Sequence, residues 1–297
     1  MKVERKSESL REAYGNELVS LGKRDPNVVV LDADLSSSTK TGIFGKEFPD
    51  RFFNMGISEQ SMVTAAAGLA LSGKKVFAST FAVFLMRTYE QIRQSVCYNN
   101  IDVKFVTTHA GITVGEDGAT HQIIEDIGVM AGLPHMSVIV PVDAIETRSV
   151  LRYVHDETVT PYYIRLTREK FPVLNNPDYE YVPRKSVTFK DGSDLTIIGC
   201  GVMVSFALQA AEELKNKGID ARVINMSSIK PMDRTAVVKA AMETGRILTV
   251  EEHSIYNNIA RNRLKTFVYG SVGLIIMFIA TMHGLMTFWK QRSWLTR

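Results

Sequence analysis

The sequence predicts an α/β fold in which a mainly parallel β-sheet is covered by helices on both faces. Short runs rich in valine and phenylalanine, at residues 27–31, 75–79 and 103–108, are typical of buried strands. Helical patterns of about 10–18 residues separate the short apolar runs, as in β-α-β units. The runs are nearly all apolar, which indicates strands that are buried on both sides.

The predicted elements follow one another in a regular order. The first domain is predicted to contain a helix from about residue 8, strand 27–31, strand 52–55, helix 60–71, strand 75–79, helix 81–98, strand 103–108, helix 122–131, strand 136–140, helix 143–155 and strand 162–167. Residues 171–192 contain three prolines and no sustained periodicity, so they predict a linker. A second, smaller α/β segment follows, with strand 194–199, helix 203–218, strand 221–225, helix 233–244 and strand 246–250.

Composition excludes several classes of protein. The 297 residues suit about two domains, and a net charge of +3 is too small to favour a nucleic-acid partner. Two cysteines far apart in sequence, Cys97 and Cys200, exclude a disulfide scaffold and a four-cysteine zinc site. The charged N-terminus lacks the apolar segment of a secretory signal. We therefore expect a reducing, cytoplasmic compartment.

Polar and aromatic side chains follow the carboxyl ends of the predicted strands, where ligands bind in open α/β sheets. Glu59 begins an otherwise apolar helix. It either stabilises the helix N-terminus or exchanges a proton with a bound heterocycle. Phe81 and Phe84 lie one helical turn apart, so they form either part of the core or an aromatic platform for a planar ring.

A glycine-rich loop between His109 and His121 contains Asp117. Neither histidine has helical spacing to another metal ligand, so the pattern favours hydrogen bonding or proton transfer over zinc binding. Two solvated loop histidines are the alternative. Arg165 and Arg168 lie at the end of the last strand of the first domain. One of them could clamp a phosphate or a carboxylate, and a structural salt bridge is the equal alternative.

These motifs together resemble transketolase. The resemblance is carried by DADLSSST (32–39), FFNMGISEQSM (52–62), THAGITVGEDGATHQIIEDI (108–127) and VEEHSIY (250–256). More narrowly, the chain resembles the C-terminal subunit of split, two-chain transketolases. The resemblance implies a pyrimidine-binding domain of the thiamine-diphosphate fold at 1–170, a linker at 171–192, a truncated or divergent transketolase C-terminal-type domain at 193–256 and an apolar tail outside the family pattern at 257–297. Deoxyxylulose-phosphate synthase and the beta subunits of 2-oxoacid dehydrogenases are the related alternatives.

The resemblance also implies roles at the cofactor. Glu59 would hydrogen-bond the aminopyrimidine ring of thiamine diphosphate and thereby promote loss of the thiazolium C2 proton. Phe81 and Phe84 would line the pyrimidine pocket. Arg87 stands where a third aromatic residue often follows in this family, so we expect the pocket to be less hydrophobic on that side.

Further residues would contact the substrate. The resemblance implies that His109 and His121 contact the hydroxyls and carbonyl of the sugar and take part in catalysis. Asp117 would contact the C2 hydroxyl, and Arg168 would hold the sugar phosphate with Ser38 nearby. The implied reaction is the transfer of a two-carbon ketol unit between sugar phosphates, as in the pentose phosphate pathway.

One part of the family's cofactor site is missing from this sequence. The family holds the diphosphate and its Mg²⁺ in a separate domain with a Gly-Asp-Gly run, and no such run occurs here. The resemblance therefore implies an N-terminal partner subunit that holds Mg²⁺, no metal ligand in this chain, and activity only in the assembled enzyme. We expect a heterotetramer with a homodimeric core.

Residues 266–289 contain no Asp, Glu, Lys or Arg. About 20 apolar residues suffice to cross a bilayer. Three interpretations stay open: a membrane anchor, a frameshifted or chimeric end of the chain, and a divergent buried helix and strand. Three basic residues flank the stretch on each side, so no orientation follows. A non-catalytic, membrane-tethered relative is therefore the alternative to a cytoplasmic enzyme subunit.

Overall fold

The computed structural model describes residues 6–255 of the chain. The uncharged stretch at 266–289 lies outside these residues. Among the described residues, none of the helices combines the length and the apolar character that a bilayer span requires.

Short strands and helices alternate along most of the described chain. The strands of residues 6–255 are β1 (Ser7–Ser9), β2 (Val28–Asp32), β3 (Phe52–Asn54), β4 (Lys75–Ser79), β5 (Val103–Thr107), β6 (Ser137–Ile139), β7 (Tyr162–Arg165), β8 (Lys170–Pro172), β9 (Val187–Lys190), β10 (Leu195–Gly199), β11 (Ala221–Asn225), β12 (Ser228–Lys230) and β13 (Ile247–Val250). The helices are α1 (Leu10–Arg24), α2 (Ser36–Thr39), α3 (Gly42–Glu47), α4 (Glu59–Leu71), α5 (Ala82–Leu85), α6 (Tyr89–Gln91), α7 (Asp126–Ala131), α8 (Ala144–Asp156), α9 (Met203–Lys215) and α10 (Arg234–Thr244).

Two sheets organise the described chain, with β1 and β8 forming a separate antiparallel pair. The larger sheet has the strand order β12-β6-β7-β5-β4-β2-β3, in which β12 is antiparallel to β6 and the other pairs are parallel. The smaller sheet has the order β13-β10-β11-β9, with β9 antiparallel to β11 and the other pairs parallel. The predicted α/β class with a mainly parallel sheet is confirmed.

The two faces of the larger sheet bury different side chains, because alternate residues of a strand point to opposite sides. In β2, Val29 and Leu31 face a core that includes side chains of α4. Val28 and Val30 face a second core that includes side chains of α1. Helices α4 and α1 therefore cover opposite faces of the larger sheet.

The smaller sheet is continuous with the larger one through its core. Ile198 of β10 and Ile224 of β11 belong to the same buried cluster as Val138 of β6. The strand β12 lies in sequence between β11 and β13 of the smaller sheet but pairs with β6 of the larger sheet. The two α/β units therefore share both apolar packing and backbone hydrogen bonds.

Three predicted elements differ in the structure. The segment predicted as helix 81–98 changes between α, 3₁₀ and π geometry along α5, α6 and the turn Ile92–Cys97. The helix predicted at 122–131 begins only at Asp126, because Ile123 pairs with Gly111 through reciprocal backbone hydrogen bonds. The segment predicted as a linker contains β9, whose backbone groups are paired with β11 of the smaller sheet.

Candidate active site

Every candidate residue lies in a segment that follows the carboxyl end of a parallel strand. Ser38 lies in α2 after β2, and Glu59 is the first residue of α4 after β3. Further candidates follow β4, β5 and β7: Phe81 and Phe84, then His109, Asp117 and His121, then Arg168. Because these strands are parallel and adjacent, their carboxyl ends place the candidates at one edge of the sheet.

Four aromatic rings form the centre of this region. The rings of Phe81 and Phe84 are nearly parallel, with centroids 5.6 Å apart and an interplanar angle of 11°. The imidazole of His109 stacks on Phe81 at a centroid distance of 3.6 Å. The ring of His121 meets Phe84 edge-on at 5.4 Å. The two loop histidines and the two phenylalanines, which come from separate segments of the sequence, are therefore one cluster.

Glu59 is a buried carboxylate at the start of α4, with 5% of the residue exposed. Its Oε2 lies 3.6 Å from Nη1 of Arg87, and the Arg87 guanidinium carbon lies 5.3 Å from the centroid of the Phe84 ring. Arg87 therefore connects the carboxylate to the aromatic cluster. The helix N-terminus and a cation both favour a negative charge at this position.

His109 is held as a neutral imidazole. Its backbone has φ +57°, in the left-handed region, and its Nδ1 lies 2.9 Å from the Thr108 hydroxyl. Burial, together with the positive charges of Arg11 and Arg168, lowers the pKa of His109 to about 3. The Asp117 carboxylate lies 4.0 Å from Nε2. At neutral pH this ring can donate or accept one hydrogen bond without carrying a charge.

Arg168 lies among acidic side chains at the far end of the cluster. Its guanidinium is 3.0 Å from the Glu116 carboxylate, 3.1 Å from that of Glu169 and 3.6 Å from that of Asp117. The Glu116 side chain is 85% exposed, so its ion pair contributes little, and an anionic group of a ligand can replace it. A guanidinium placed in this way suits bidentate recognition of a phosphate.

A second arginine, which was not among the predicted site residues, lies at this end. Arg11 of α1 donates from Nε and Nη2 to the backbone carbonyl of Arg168, at 3.1 and 2.9 Å, and from Nη1 to that of Ser38 at 2.6 Å. Burial and the nearby charge of Arg168 lower the pKa of Arg11. Arg11 thus ties Ser38 to Arg168. No local sequence signal marks it, because its two partners lie 27 and 157 residues away.

Except for Arg165, the structure brings the candidate residues into one connected set, from Glu59 through the aromatic cluster to Arg168 and Ser38. Arg165 does not belong to it. Its guanidinium is buried and pairs with the Asp126 carboxylate at 2.8 Å, so the structural alternative holds for this residue. Within residues 6–255, no group of three or more His, Cys, Asp or Glu side chains is placed to hold a metal ion.

The arrangement offers three kinds of chemistry in sequence. A buried carboxylate next to stacked aromatic rings suits a planar, nitrogen-containing ring with a titratable atom. Neutral histidine and a carboxylate suit polar hydroxyl or carbonyl groups. Two arginines suit a terminal anion. The site therefore suits a heterocyclic ring at the Glu59 end and hydroxyl, carbonyl and anionic groups toward the Arg168 end.

Two family models match the chain. The transketolase pyrimidine-binding domain matches residues 6–173, and the transketolase C-terminal domain matches residues 185–268. A protein of Methanocaldococcus jannaschii, described as a transketolase C-terminal section, is 47% identical over 253 residues, which cover 84% of this chain and 79% of that protein. One subunit of the apulose-4-phosphate transketolase of Phocaeicola vulgatus is 41% identical over 91% of this chain and 86% of its own length. A solved split-gene transketolase, described as an inactive beta4 tetramer, has a TM-score of 0.83 and 44% identity, covering 91% of this chain and 88% of that one.

Proposed function

This chain belongs to the transketolase family of thiamine-diphosphate enzymes, and we propose that it is the C-terminal subunit of a split, two-chain transketolase. In this proposal it transfers a two-carbon ketol unit between sugar phosphates together with an N-terminal subunit. The observation that carries the proposal is the continuous set of Glu59, the aromatic cluster and Arg168 at one edge of the parallel sheet. We place the reaction in cytoplasmic sugar-phosphate metabolism of the pentose phosphate type.

The residues present fit one end of thiamine diphosphate. Phe81 and Phe84 provide stacked rings for the aminopyrimidine, and the buried Glu59 carboxylate provides a partner for a ring nitrogen. When bound, the cofactor supplies the carbon nucleophile of the reaction through its thiazolium ring. Glu59 would hold a proton at the pyrimidine nitrogen, and the aromatic rings would keep water from that face of the site.

The substrate would extend from the aromatic cluster toward the arginines. His109, neutral because its pKa is near 3, would hydrogen-bond the carbonyl or hydroxyl oxygens of the sugar without drawing a counter-ion. His121 and Asp117 would contact further oxygens of the same chain. Arg168, with Arg11 and Ser38 beside it, would bind the terminal phosphate.

The remaining half of the cofactor site would come from the partner. The sequence contains no Gly-Asp-Gly run, so we propose that the N-terminal subunit binds the diphosphate and its Mg²⁺. The two relatives, one described as a C-terminal section and the other as one subunit of a transketolase, support this division. We further propose a heterotetramer with a homodimeric core, which a mass measurement on the mixed subunits can test.

The test is ketol transfer from xylulose 5-phosphate to ribose 5-phosphate, measured with this chain alone, with the N-terminal subunit alone, and with both. We expect transfer only in the mixture that also contains thiamine diphosphate and Mg²⁺. Transfer by this chain alone would refute the split site. No transfer by the mixture, with the two subunits shown to associate, would refute the proposed reaction.

A further inference from the structure

A carboxylate of the smaller α/β unit reaches into the candidate active site of the larger one. Glu252 follows β13, and its Oε1 accepts hydrogen bonds from the backbone N–H groups of Ile112 and Thr113, both at 2.8 Å. These two residues lie in the site loop, defined as residues 109–121, between His109 and Asp117. One carboxylate oxygen therefore holds two consecutive amides of the loop that carries the proposed substrate contacts.

The loop packs directly against this carboxylate. Gly111 has φ +86°, and a Cβ atom built on it would lie 2.1 Å from the Glu252 carboxyl carbon. A side chain larger than hydrogen at this residue would displace the Glu252 carboxylate from its present position. The opposite side of the loop is fixed by the reciprocal hydrogen bonds between Gly111 and Ile123. At Gly111 the loop backbone is thus held between the Glu252 carboxylate and the backbone of Ile123.

The second carboxylate oxygen of Glu252 faces Arg165 at ion-pair distance but accepts no hydrogen bond from it. Glu252 Oε2 is buried and has no hydrogen-bond partner within residues 6–255. Nη1 of Arg165 is 3.9 Å away from it, beyond hydrogen-bond distance. Arg165 instead donates to the backbone carbonyl of Glu252 at 3.0 Å and pairs with Asp126. Arg165 therefore fixes the backbone of Glu252 and lies near its carboxylate charge. The two loop amides donate the hydrogen bonds that Oε1 of Glu252 accepts.

We infer that Glu252 is a positioning residue that sets the conformation of the site loop from the smaller α/β unit and so fixes where His109 and Asp117 meet the substrate. The inference rests on the proposed function for its kinetic consequence. Its structural consequence, the protection of two loop amides, can be measured on this chain without any partner or cofactor.

The first experiment compares Glu252→Ala with Glu252→Gln in the chain alone. The glutamine keeps a side-chain oxygen that can accept from both amides, whereas alanine removes the acceptor. Hydrogen bonds to a charged acceptor are strong enough that we expect amide exchange at Ile112 and Thr113 to rise about tenfold or more in the alanine variant. Exchange in β5, Val103–Thr107, should stay unchanged, which reports that the fold is intact.

Asp233→Ala is the matched control for a general loosening of the smaller unit. Asp233 caps α10 by accepting from the Ala236 amide at 3.1 Å, and it accepts from the Ser186 amide at 3.0 Å. Its removal therefore also deletes a carboxylate that holds two amides, at a position that does not touch the site loop. Equal gains in exchange at Ile112 in the Asp233 and Glu252 variants would overturn the inference.

The second experiment measures ketol transfer in the mixture with the N-terminal subunit. We expect Glu252→Ala to raise the KM for the ketose phosphate about tenfold or more, with a smaller effect on kcat, and Glu252→Gln to restore most of the loss. Wild-type kinetics in the alanine variant, or wild-type exchange at the two amides, would overturn the inference. If the wild-type mixture shows no transfer, the proposed function fails, and the exchange experiment still decides whether Glu252 holds the loop.

Discussion

Replacing Glu59 with glutamine separates the proposed catalytic role of this residue from its role in the helix. The variant keeps the size of the side chain and its hydrogen-bonding reach but removes the acid that would hold a proton at the pyrimidine nitrogen. If Glu59 has that role, exchange of the thiazolium C2 hydrogen should slow by about 10²–10⁴-fold, the usual contribution of general acid–base groups.

The structure predicts a much smaller effect on stability. A carboxylate in the first turn of a helix contributes about 0.3–1 kcal/mol through the helix dipole. The ion pair at 3.6 Å to Arg87, whose side chain is 60% exposed, adds at most about 1 kcal/mol. A neutral amide also costs less to bury than a charge, which offsets part of this loss. We expect the melting temperature to fall by no more than about 8 °C.

The assay is hydrogen–deuterium exchange at the thiazolium C2 in the assembled complex, followed by NMR on the recovered cofactor. Glu213→Gln, at an exposed carboxylate of α9, is the control that removes a negative charge far from the site. An exchange rate in Glu59→Gln equal to that of the control would refute the catalytic role and leave Glu59 as a helix-terminal carboxylate.

Three further predictions concern other parts of the site. Arg168→Met should raise the KM for sugar phosphates about 10–100-fold, since hydrogen bonds to charged groups contribute about 1.5–3 kcal/mol. The variant should hardly change the KM for an unphosphorylated ketose. Equal losses on both substrates would contradict a phosphate contact. His109 has a pKa of about 3 in the folded chain and about 6.5 in the unfolded chain. Below about pH 6.5 the imidazole is therefore protonated only in the unfolded chain, and the free energy of unfolding falls as the pH falls. Between pH 7.5 and 5, urea unfolding should therefore show the wild type losing about 2 kcal/mol more than His109→Gln, and parallel losses would contradict the buried neutral ring. Gly111→Ala should lower kcat/KM for ketol transfer about tenfold or more, as is expected for Glu252→Ala, because its Cβ overlaps the Glu252 carboxylate. Gly73→Ala, with a similar φ of +88° and nothing within 4 Å, should keep wild-type activity, and two equally active variants would refute the steric argument.

Local patterns in the sequence predict much of this molecule. Apolar runs and helical periodicity place the central strands and most of the helices, because burial on both faces leaves a clear signal in the sequence. They also place Glu59 at the start of α4 and Phe81 just after β4, because the apolar pattern of a helix or strand shows where that element begins and ends. The candidate residues therefore fall at the edge of the sheet where the parallel strands end. Their catalytic roles remain predictions.

Other features depend on contacts that no local pattern encodes. The π turn at Ile92–Cys97 and the delayed start of α7 arise where the chain makes tertiary contacts instead of following its periodicity. Arg11 and Glu252 act through backbone groups of residues 157 and 140 positions away. Since backbone amides and carbonyls exist at every residue, their choice as partners leaves no trace in the residue types. The residue type of His109 likewise does not indicate its left-handed backbone conformation.

The two α/β units act on the site as one body, although the sequence pattern divides them into separate segments. Besides the shared core and the β12–β6 pairing, three consecutive residues connect the units near the site: Glu252 holds the site loop, the His253 ring accepts from the Gly128 amide at 3.3 Å, and the Ser254 amide donates to the Ile124 carbonyl at 2.6 Å. All three partners lie in the segment that carries or directly follows the site loop. A hinge motion between the units would have to break these bonds together. The smaller unit therefore holds the site loop and the segment that follows it in place.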